Sequence, residues 1–569
     1  MFRKSLQSLA VSVLALSLTV PAFADGGAGA YLAGRQAAIQ NDFEAAATYF
    51  TRALARNPSK AELMEDAIVA QLAMGRIDRA LPIAKSLEER NLRSQAAHMV
   101  VIADILKRED FDTYLTRDHE TKGIGPLVDG LLNAWSLIGA EKPAEGLAAF
   151  DEMGKERGLM GFAMYHKALA LAMTGDLEGS AALFDSRGDG TMVITRRAAM
   201  ARAEILSQLG RNDDALISLQ ESFGLSRDPE LTVVYDRLEK GEKLSLTYIT
   251  NAREGLAEVF FTLAGALRND AGAEYTLLYS RMARFLRPDH VDALLLNAEL
   301  LEELGQFDLA VAAYNGVPDD FPAFHAAELG RAAAYRRADK PDAAIEVLEQ
   351  LVKRFPDLPA VHSTLGDIQR QQSNFEQAVG HYNRALELNT ETTRNIWFLH
   401  YARAISYDRL DNWKEAEADF RSALELNPGQ PQVLNYLGYS LVEKRIKLDE
   451  ALGMIEQAVE SNPDSGYIVD SLGWVLYRLG RYEEGVVHME RAVELMPVDP
   501  VVNDHLGDLY WAVGRFREAE FQWSRALSFV DEKEPGDADP DRIRRKMEIG
   551  LDWVLEEEGA DPLKLANDD

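Results

Sequence analysis

The sequence predicts an all-α fold, an α-solenoid of stacked helical hairpins, and the first observation behind this prediction is a recurrence. An offset of 34 residues links Gly473 to Gly507. Apolar residues recur at helical spacing within a copy, from 501 to 511 and again from 519 to 529. Gly514 stands between these two stretches, as is typical of the turn in a helical hairpin. Because one hairpin cannot bury its own apolar face, we expect successive hairpins to stack into a continuous core.

The recurrence extends through most of the chain. We count about fourteen units, which begin near residues 27, 61, 95, 127, 161, 196, 257, 291, 325, 359, 397, 431, 466 and 500. Pro428, Pro463 and Pro497 close three of the clearest copies, as expected where one hairpin ends and the next begins. The repetition is strong from 257 to 530 and degenerate from 25 to 229, so we expect two solenoid segments with these bounds.

Residues 230–256 interrupt the period. They contain a strand-like alternation of apolar and polar residues at 231–235, followed by a charged run around Gly241. We interpret this segment as an irregular connector or an atypical helix pair. Either would act as a hinge between the two solenoid segments.

Residues 531–569 follow the last unit and combine a polar linker, a capping helix and an acidic tail. Four apolar residues of the predicted capping helix share one face: Ile543, Met547, Leu551 and Val554. The basic residues 542 and 544–546 lie opposite this face. A solenoid needs such a helix to cover the apolar face of its last hairpin.

The first 24 residues have the pattern of a cleavable signal peptide. Arg3 and Lys4 precede an apolar run, and the run ends in the A-x-A pattern Ala22-Phe23-Ala24. We expect cleavage after Ala24 and export of the mature chain; an uncleaved membrane anchor is the alternative. The chain contains no cysteine, so a disulfide framework and a lipid-bearing cysteine are both excluded from this sequence.

Composition and motifs narrow the classes of function. The formal net charge is −31, which disfavours nucleic acid and anionic membrane surfaces as partners, because phosphate binding needs clustered Lys and Arg. The ten histidines are scattered, and neither the H-E-x-x-H motif nor a paired zinc spacing occurs. We therefore predict no enzyme activity, no catalytic residue, no cofactor and no metal.

The repeated unit resembles the tetratricopeptide repeat, whose motif W-x2-L-G-x2-Y, A-x3-F and P spans about 34 residues. The copies ending "SALELNP", "QAVESNP" and "RAVELMP" carry this resemblance most clearly. It implies helical hairpins wound into a right-handed superhelix, and a chain that binds proteins or peptides in its concave groove.

A narrower resemblance lies in the phrases "DSLGWVLYRLG", "NDHLGDLYWAVGR" and "GLAEVFFTLAGAL". They are similar to long tetratricopeptide repeat proteins of the bacterial cell envelope, including periplasmic adaptors that deliver cell-wall hydrolases to carboxy-terminal processing proteases. This resemblance implies a periplasmic scaffold or adaptor. The adaptor is lipid-anchored, and the absence of cysteine means that anchoring is not carried over. The alternatives are an assembly factor for outer-membrane proteins or lipopolysaccharide and a component of polysaccharide export.

In the tetratricopeptide family, repeat positions 2, 5, 9 and 12 of the first helix line the concave face. Carried onto this chain, they give eleven candidate partner-binding residues, which we call the predicted groove set: Phe398, Tyr401, Asn435, Tyr439, Tyr467, Asp470, Trp474, Tyr477, Asp504, Asp508 and Trp511. The same positions include Gln432, Val442 and Val501.

Rigid aromatic rings between Asn and Asp side chains are typical of a protein-recognition surface. We expect the polar groups to hydrogen-bond the backbone of an extended, neutral or basic peptide. The alternative is that Trp474 and Trp511 pack between neighbouring helices as part of the core.

Cleavage of the leader can be tested directly. The protein isolated from the cell envelope should have an intact mass that lacks residues 1–24. Replacing the residue before the cut, Ala24→Tyr, should leave the leader attached, because signal peptidase needs a small side chain there. The control Phe23→Leu should be cleaved normally. An intact leader on the wild-type protein would contradict the prediction.

Overall fold

The fold consists of helices and turns. The computed structural model describes residues 26–156, 158–186, 192–224, 228–389, 396–531, 538–560 and 562–563, and over these residues it contains 32 helices and no strand. The predicted signal peptide and the last residues of the acidic tail lie outside the described residues. The described residues divide into two compact units, one on each side of the boundary between Phe355 and Pro356.

The first unit contributes the helices up to residue 354. In chain order they are α1 (Gly26–Ile39), α2 (Phe43–Arg56), α3 (Ala61–Ala73), α4 (Ile77–Glu89), α5 (Gln95–Lys107), α6 (Phe111–Leu115), α7 (His119–Lys122), α8 (Pro126–Gly139), α9 (Pro143–Met153), α10 (Met160–Thr174), α11 (Leu177–Asp185), α12 (Arg196–Gln208), α13 (Asn212–Phe223), α14 (Pro229–Glu239), α15 (Ala252–Leu267), α16 (Ala273–Leu286), α17 (Val291–Glu303), α18 (Phe307–Tyr314), α19 (Phe324–Arg337) and α20 (Pro341–Arg354).

The second unit contributes the remaining helices. They are α21 (Pro359–Gln371), α22 (Phe375–Leu388), α23 (Trp397–Arg409), α24 (Trp413–Leu426), α25 (Pro431–Glu443), α26 (Leu448–Ser461), α27 (Gly466–Arg478), α28 (Tyr482–Leu495), α29 (Pro500–Ala512), α30 (Phe516–Phe529), α31 (Pro540–Ile549) and α32 (Leu551–Glu557).

The predicted stack of about fourteen hairpins is confirmed over the described residues. The first helices of the hairpins begin at 26, 61, 95, 126, 160, 196, 252, 291, 324, 359, 397, 431, 466 and 500, so all but one begin within one residue of the predicted position. The exception is α15, which begins at Ala252 rather than at 257.

Small residues allow the two helices of a hairpin to approach closely. A Cβ added at Gly507 would lie 2.4 Å from the ring of Trp523, and one added at Gly473 would lie 2.8 Å from Cε of Met489. Larger side chains at these points would overpack the contact between the two helices of a hairpin. The turn that joins α29 to α30 passes through Gly514 at φ +78°, a left-handed conformation that glycine adopts without strain.

The hairpin α15–α16 does more than extend the stack. Helix α15 packs against α8 and α10, and α16 packs against α3 and α5, which are first helices of earlier hairpins. Tyr275 donates a hydrogen bond of 2.9 Å to Oε1 of Gln95, and the ammonium group of Lys107 lies 3.9 Å from the ring centre of Phe285. The face that these first helices would offer to a partner is therefore covered by the chain itself.

Helix α14 replaces the strand-like segment. Residues 231–235 are helical, because Asp228 caps the helix by accepting the N–H of Leu231 and Pro229 suits the first turn. Leu231, Tyr235 and Leu238 are buried at a spacing of four and three residues, which is helical periodicity. The alternation of apolar and polar residues at 231–235 was too short to distinguish a strand from one buried face of a helix.

The segment after α14 has no regular secondary structure and is hydrogen-bonded to α12. The N–H of Leu244 donates to Oγ of Ser207 at 2.9 Å, and the N–H of Thr247 donates to Oε2 of Glu204 at 2.8 Å. The whole of 230–256 lies inside the first unit, whereas the division into units falls after Phe355. The hinge role of 230–256 stays a prediction.

A buried ionic network holds α15 in place. Glu258 accepts hydrogen bonds of 2.8 Å from the Tyr165 hydroxyl and 2.8 Å from Nε of Arg197, which also pairs with Asp292. His290 Nε2 lies 3.5 Å from the same carboxylate. Burial alone would raise the pKa of Glu258, but Arg197 and His290 outweigh it and hold the pKa well below its usual range. Removing one partner would leave an uncompensated buried charge.

Two glycines of α15 test whether this helix packs on α8. A Cβ at Gly255 would lie 2.3 Å from the ring of Trp135, so Gly255→Ala should lower the free energy of unfolding by about 1–3 kcal/mol through overpacking. Gly265 has open space around it, so Gly265→Ala should raise the same quantity by up to about 1 kcal/mol through helix propensity. Urea unfolding followed by circular dichroism measures both. Equal effects of the two substitutions would contradict this packing.

Candidate functional site

The predicted groove set lies on four first helices of the second unit, α23, α25, α27 and α29, but its members differ in exposure. The most exposed are Phe398 at 40% and Tyr467 at 46%. Five are half-buried: Tyr401, Tyr439, Trp474, Asp504 and Trp511. Four are buried: Asn435, Asp470, Tyr477 and Asp508.

The exposed rings belong to a larger group that we call the aromatic face: Phe398, Tyr401, Tyr436, Tyr467 and Trp474. Tyr401 meets Tyr436 edge-on at 6.2 Å between ring centres. Burial raises the pKa of Tyr401 to about 12, with further contributions from Tyr436 and Tyr467. The Tyr401 hydroxyl thus stays protonated at neutral pH and can donate a hydrogen bond.

Tyr436 is the member that reasoning from repeat positions missed. It lies one residue beyond position 5 and packs at 5.2 Å on the ring of Phe420 from α24. Its position was not among those carried over from the family. The sequence did offer one indication of its role, since Tyr436 directly follows the groove position Asn435.

Trp474 is held in a fixed orientation. Its indole stacks on Tyr477 at 4.8 Å and on His505 at 4.1 Å, and its Nε1–H donates a 2.7 Å hydrogen bond to Oε1 of Glu443. The ring is half-buried, so it both packs between neighbouring hairpins and presents an edge to solvent. Because the ring is already fixed, less conformational entropy is lost when a partner binds.

Asp470 binds its own neighbour. Its Oδ1 lies 2.9 Å from Nδ1 of His505 on the next first helix. Burial alone would lower the pKa of His505, but Asp470, Asp504 and Asp508 outweigh it and raise the pKa above its ordinary 6.5. The carboxylate that the sequence assigns to a ligand is engaged in joining two hairpins.

The carboxylates of the last hairpin contact the carboxy-terminal helices. The ammonium group of Lys546, which is fully buried, lies 2.6 Å from Asp504 and 2.6 Å from Asp508. Trp523 also donates a 2.9 Å hydrogen bond to Asp508. Lys546 therefore does not lie on an exposed basic face of the capping helix. It neutralises two acidic groups that would otherwise repel each other.

The predicted cap is two helices. Ile543, Leu551 and Val554 are buried as expected, whereas Met547 is 39% exposed and so is not part of the buried face. The chain breaks at Gly550, where φ is +86°. This break lets Asp552 accept a 2.8 Å hydrogen bond from Nε1 of Trp511. The chain's own terminal helices therefore engage the polar groups at this end of the predicted groove set.

Two amide side chains on α25 face no donor. Oε1 of Gln432 and Oδ1 of Asn435 are buried and have no hydrogen-bond partner. Residues three apart share one side of a helix, so these acceptors lie on the side that carries groove positions 2 and 5. Buried acceptors without donors are costly and mark places where a ligand group or water completes the bonding.

The family described as tetratricopeptide repeat matches residues 37–101, 329–391, 397–430 and 445–500. Among curated relatives, the TPR repeat-containing protein PA4667 of Pseudomonas aeruginosa is 27% identical over 158 residues, covering 28% of this chain and 26% of that protein. The lipoprotein NlpI homolog of Haemophilus influenzae is 34% identical over 119 residues, covering 20% of this chain and 37% of that protein. The chain thus spans well under half the length of either relative.

Solved structures show a similar arrangement at low identity. The Cut9 chain of the APC/C hetero-tetramer Cut9–Hcn1 is 14% identical, with 92% of this chain and 96% of that chain covered and a TM-score of 0.39. Yeast Tom70 is 14% identical, with 94% and 99% covered and a TM-score of 0.33. At these TM-scores the likeness carries no functional argument.

The matched segments are tetratricopeptide repeats, and such repeats generally mediate protein–protein interactions without catalysing reactions. No relative named above is named as an enzyme. Among the residues that the structure describes, no helix has the length and apolarity needed to cross a membrane.

The Asp470–His505 pair makes a pH-dependent contribution to stability. Because the pKa of His505 is raised above 6.5 on folding, the contribution is complete below that pH and is lost as the pH rises through the folded-state value. Each unit of pKa shift is worth about 1.4 kcal/mol. The difference in free energy of unfolding between wild type and His505→Gln, measured by urea unfolding, should be largest below pH 6.5 and should narrow as the pH rises above it. A gap that is constant with pH would contradict the assignment.

Proposed function

We propose that this chain is a periplasmic scaffold that binds a segment of a partner protein on the aromatic face of its second unit. The exposure of Phe398 and Tyr467 is the observation that carries the proposal. Both occupy position 2 of a first helix, two hairpins apart, and the half-buried Tyr401 on α23 contributes a third ring. Tyr467 lies close enough to Tyr401 to contribute to its pKa, and apolar side chains grouped on a surface are typical of interaction sites.

The chemistry of the face suits an extended polypeptide. Aromatic rings supply large apolar contact area at low entropic cost and are enriched among residues that dominate binding energy. The Tyr401 hydroxyl can donate to a carbonyl oxygen, and the acceptors on Gln432 and Asn435 have bonding capacity that this chain does not use. Rings and polar groups together can therefore recognise both side chains and backbone.

The first unit is the less suitable place for a partner, because several of its first helices are covered by the chain itself. Helices α3, α5, α8 and α10 carry the corresponding positions there, but α15 and α16 already pack against them. A partner would have to displace a hairpin that is fixed by the buried Glu258 network. The second unit has no such internal hairpin over α23, α25 and α27 among its described residues.

The cellular role is proposed from two further observations. The leader pattern at 1–24 predicts export, and one relative bears the name of a lipoprotein homolog of Haemophilus influenzae. We infer that the chain works in the periplasm as an adaptor, bringing cell-wall hydrolases to a carboxy-terminal processing protease. The repeats supply binding and the protease supplies the chemistry.

The aromatic face can be tested by partner capture with a matched control. Mature wild-type protein, Phe398→Ala/Tyr467→Ala and Phe521→Ala should each be immobilised and exposed to envelope extract, with bound proteins quantified by mass spectrometry. Loss of the two anchors together should cost at least about 2 kcal/mol, so the double variant should bind its partner at least about thirtyfold more weakly. Phe521 is 62% exposed but lies on the second helix α30, so its removal should change nothing.

The identity of the captured protein decides the finer role. A protease recovered together with cell-wall hydrolases supports the adaptor, and the purified protease should then be titrated against the same variants. Recovery of outer-membrane assembly machinery would instead favour an assembly factor. Equal capture by the wild type and the double variant, both folded by circular dichroism, would refute binding on the aromatic face.

A further inference from the structure

Helix α16 of the first unit carries two guanidinium groups without a carboxylate partner. Arg281 and Arg284 lie three residues apart, and so on one side of the helix. Among the described residues no carboxylate oxygen lies within 4 Å of either group. Arg281 donates one hydrogen bond of 2.9 Å to the carbonyl oxygen of Ala73, and Nε of each arginine is buried without an acceptor.

Three other arginines with little exposure are paired with carboxylates. Arg117 is bonded to Glu88, Arg197 to Glu258, and Arg403 to Asp419 through two nitrogens. The chain has 92 acidic residues and 61 basic ones, so acidic partners are plentiful. Arg281 and Arg284 differ from these three arginines in having no acidic partner. A desolvated, uncompensated charge is costly and needs a compensating group.

The electrostatics confirm that the pair lacks a counter-ion. Burial and the charge of Arg284 lower the pKa of Arg281 to about 10, and burial lowers the pKa of Arg284. No acidic group raises either pKa. Both side chains still carry their charge at neutral pH, so two positive charges lie side by side and repel each other.

The surroundings leave the pair within reach of a ligand. Both side chains are half-buried rather than sealed from solvent. The Arg281 guanidinium lies against the turn that joins α3 to α4, where a Cβ at Gly75 would come within 3.3 Å of its Nη1. The missing side chain at Gly75 keeps room around the guanidinium.

We propose that Arg281 and Arg284 form an oxyanion site that binds a carboxylate of an acidic peptide segment. A guanidinium presents its donors as a planar fork that matches the two oxygens of a carboxylate. A carboxylate placed between the two groups accepts from guanidinium N–H donors that no acidic group of this chain uses, and it removes the mutual repulsion. This site lies on a second helix of the first unit, so it is separate from the aromatic face and does not rest on that proposal.

Binding can be measured on the full mature chain by fluorescence anisotropy with fluorescein-labelled hexaglutamate, using labelled hexaglutamine as the uncharged probe. Wild type should bind hexaglutamate and not hexaglutamine. Arg281→Gln/Arg284→Gln should weaken hexaglutamate binding by at least about tenfold, since charge-assisted hydrogen bonds are lost. The control Arg268→Gln removes an exposed arginine that is already paired with Glu299 and should leave binding unchanged.

Stability without ligand supplies a second readout. If Arg284 awaits a ligand, Arg284→Gln should keep or raise the melting temperature in buffer without multivalent anions, because it removes an unpaired charge. A fall in melting temperature would show that Arg284 is structural and would overturn the proposal. So would equal hexaglutamate binding by the double variant and the wild type. Stabilisation by inorganic phosphate without hexaglutamate binding would overturn the assignment to a peptide carboxylate.

Discussion

Each helical hairpin in this chain has an apolar face that it cannot bury alone, and this constraint governs the structure. In the second unit the next hairpin covers that face, and α31 and α32 complete the series around the buried Lys546. In the first unit α15 and α16 also cover the first helices of earlier hairpins. The need for burial therefore decides which first-helix surfaces remain for a partner.

The period was predictable because local spacing determines it. Apolar residues at helical intervals and small residues such as Gly473 and Gly507 mark each hairpin, whatever it packs against. The packing of α15 on α8 was not predictable, since it depends on a contact between Gly255 and Trp135, which are far apart in sequence. A glycine in a helix carries no sign of the ring that it will meet.

Polar residues at groove positions were harder to assign than rings. Asp470 and Asp508 occupy positions that family resemblance assigns to a ligand, yet they bind His505 and Lys546 of the same chain. Sequence position gives the side of the helix, whereas the neighbouring hairpin decides whether a carboxylate is already neutralised. Arg281 and Arg284 show the opposite case, because no neighbouring helix supplies a counter-ion to neutralise them.

The central claim is that α15–α16 covers first helices of the first unit and leaves partner binding to other surfaces. The chain lacks cysteine, so spin labels placed through Gln95→Cys and Tyr275→Cys report only this contact. The native side chains meet at 2.9 Å, and the account predicts strong dipolar broadening of the electron paramagnetic resonance spectrum. Ordinary stacking would separate the labels by roughly 40 Å, at about 10 Å per hairpin. A spectrum without broadening would contradict the account.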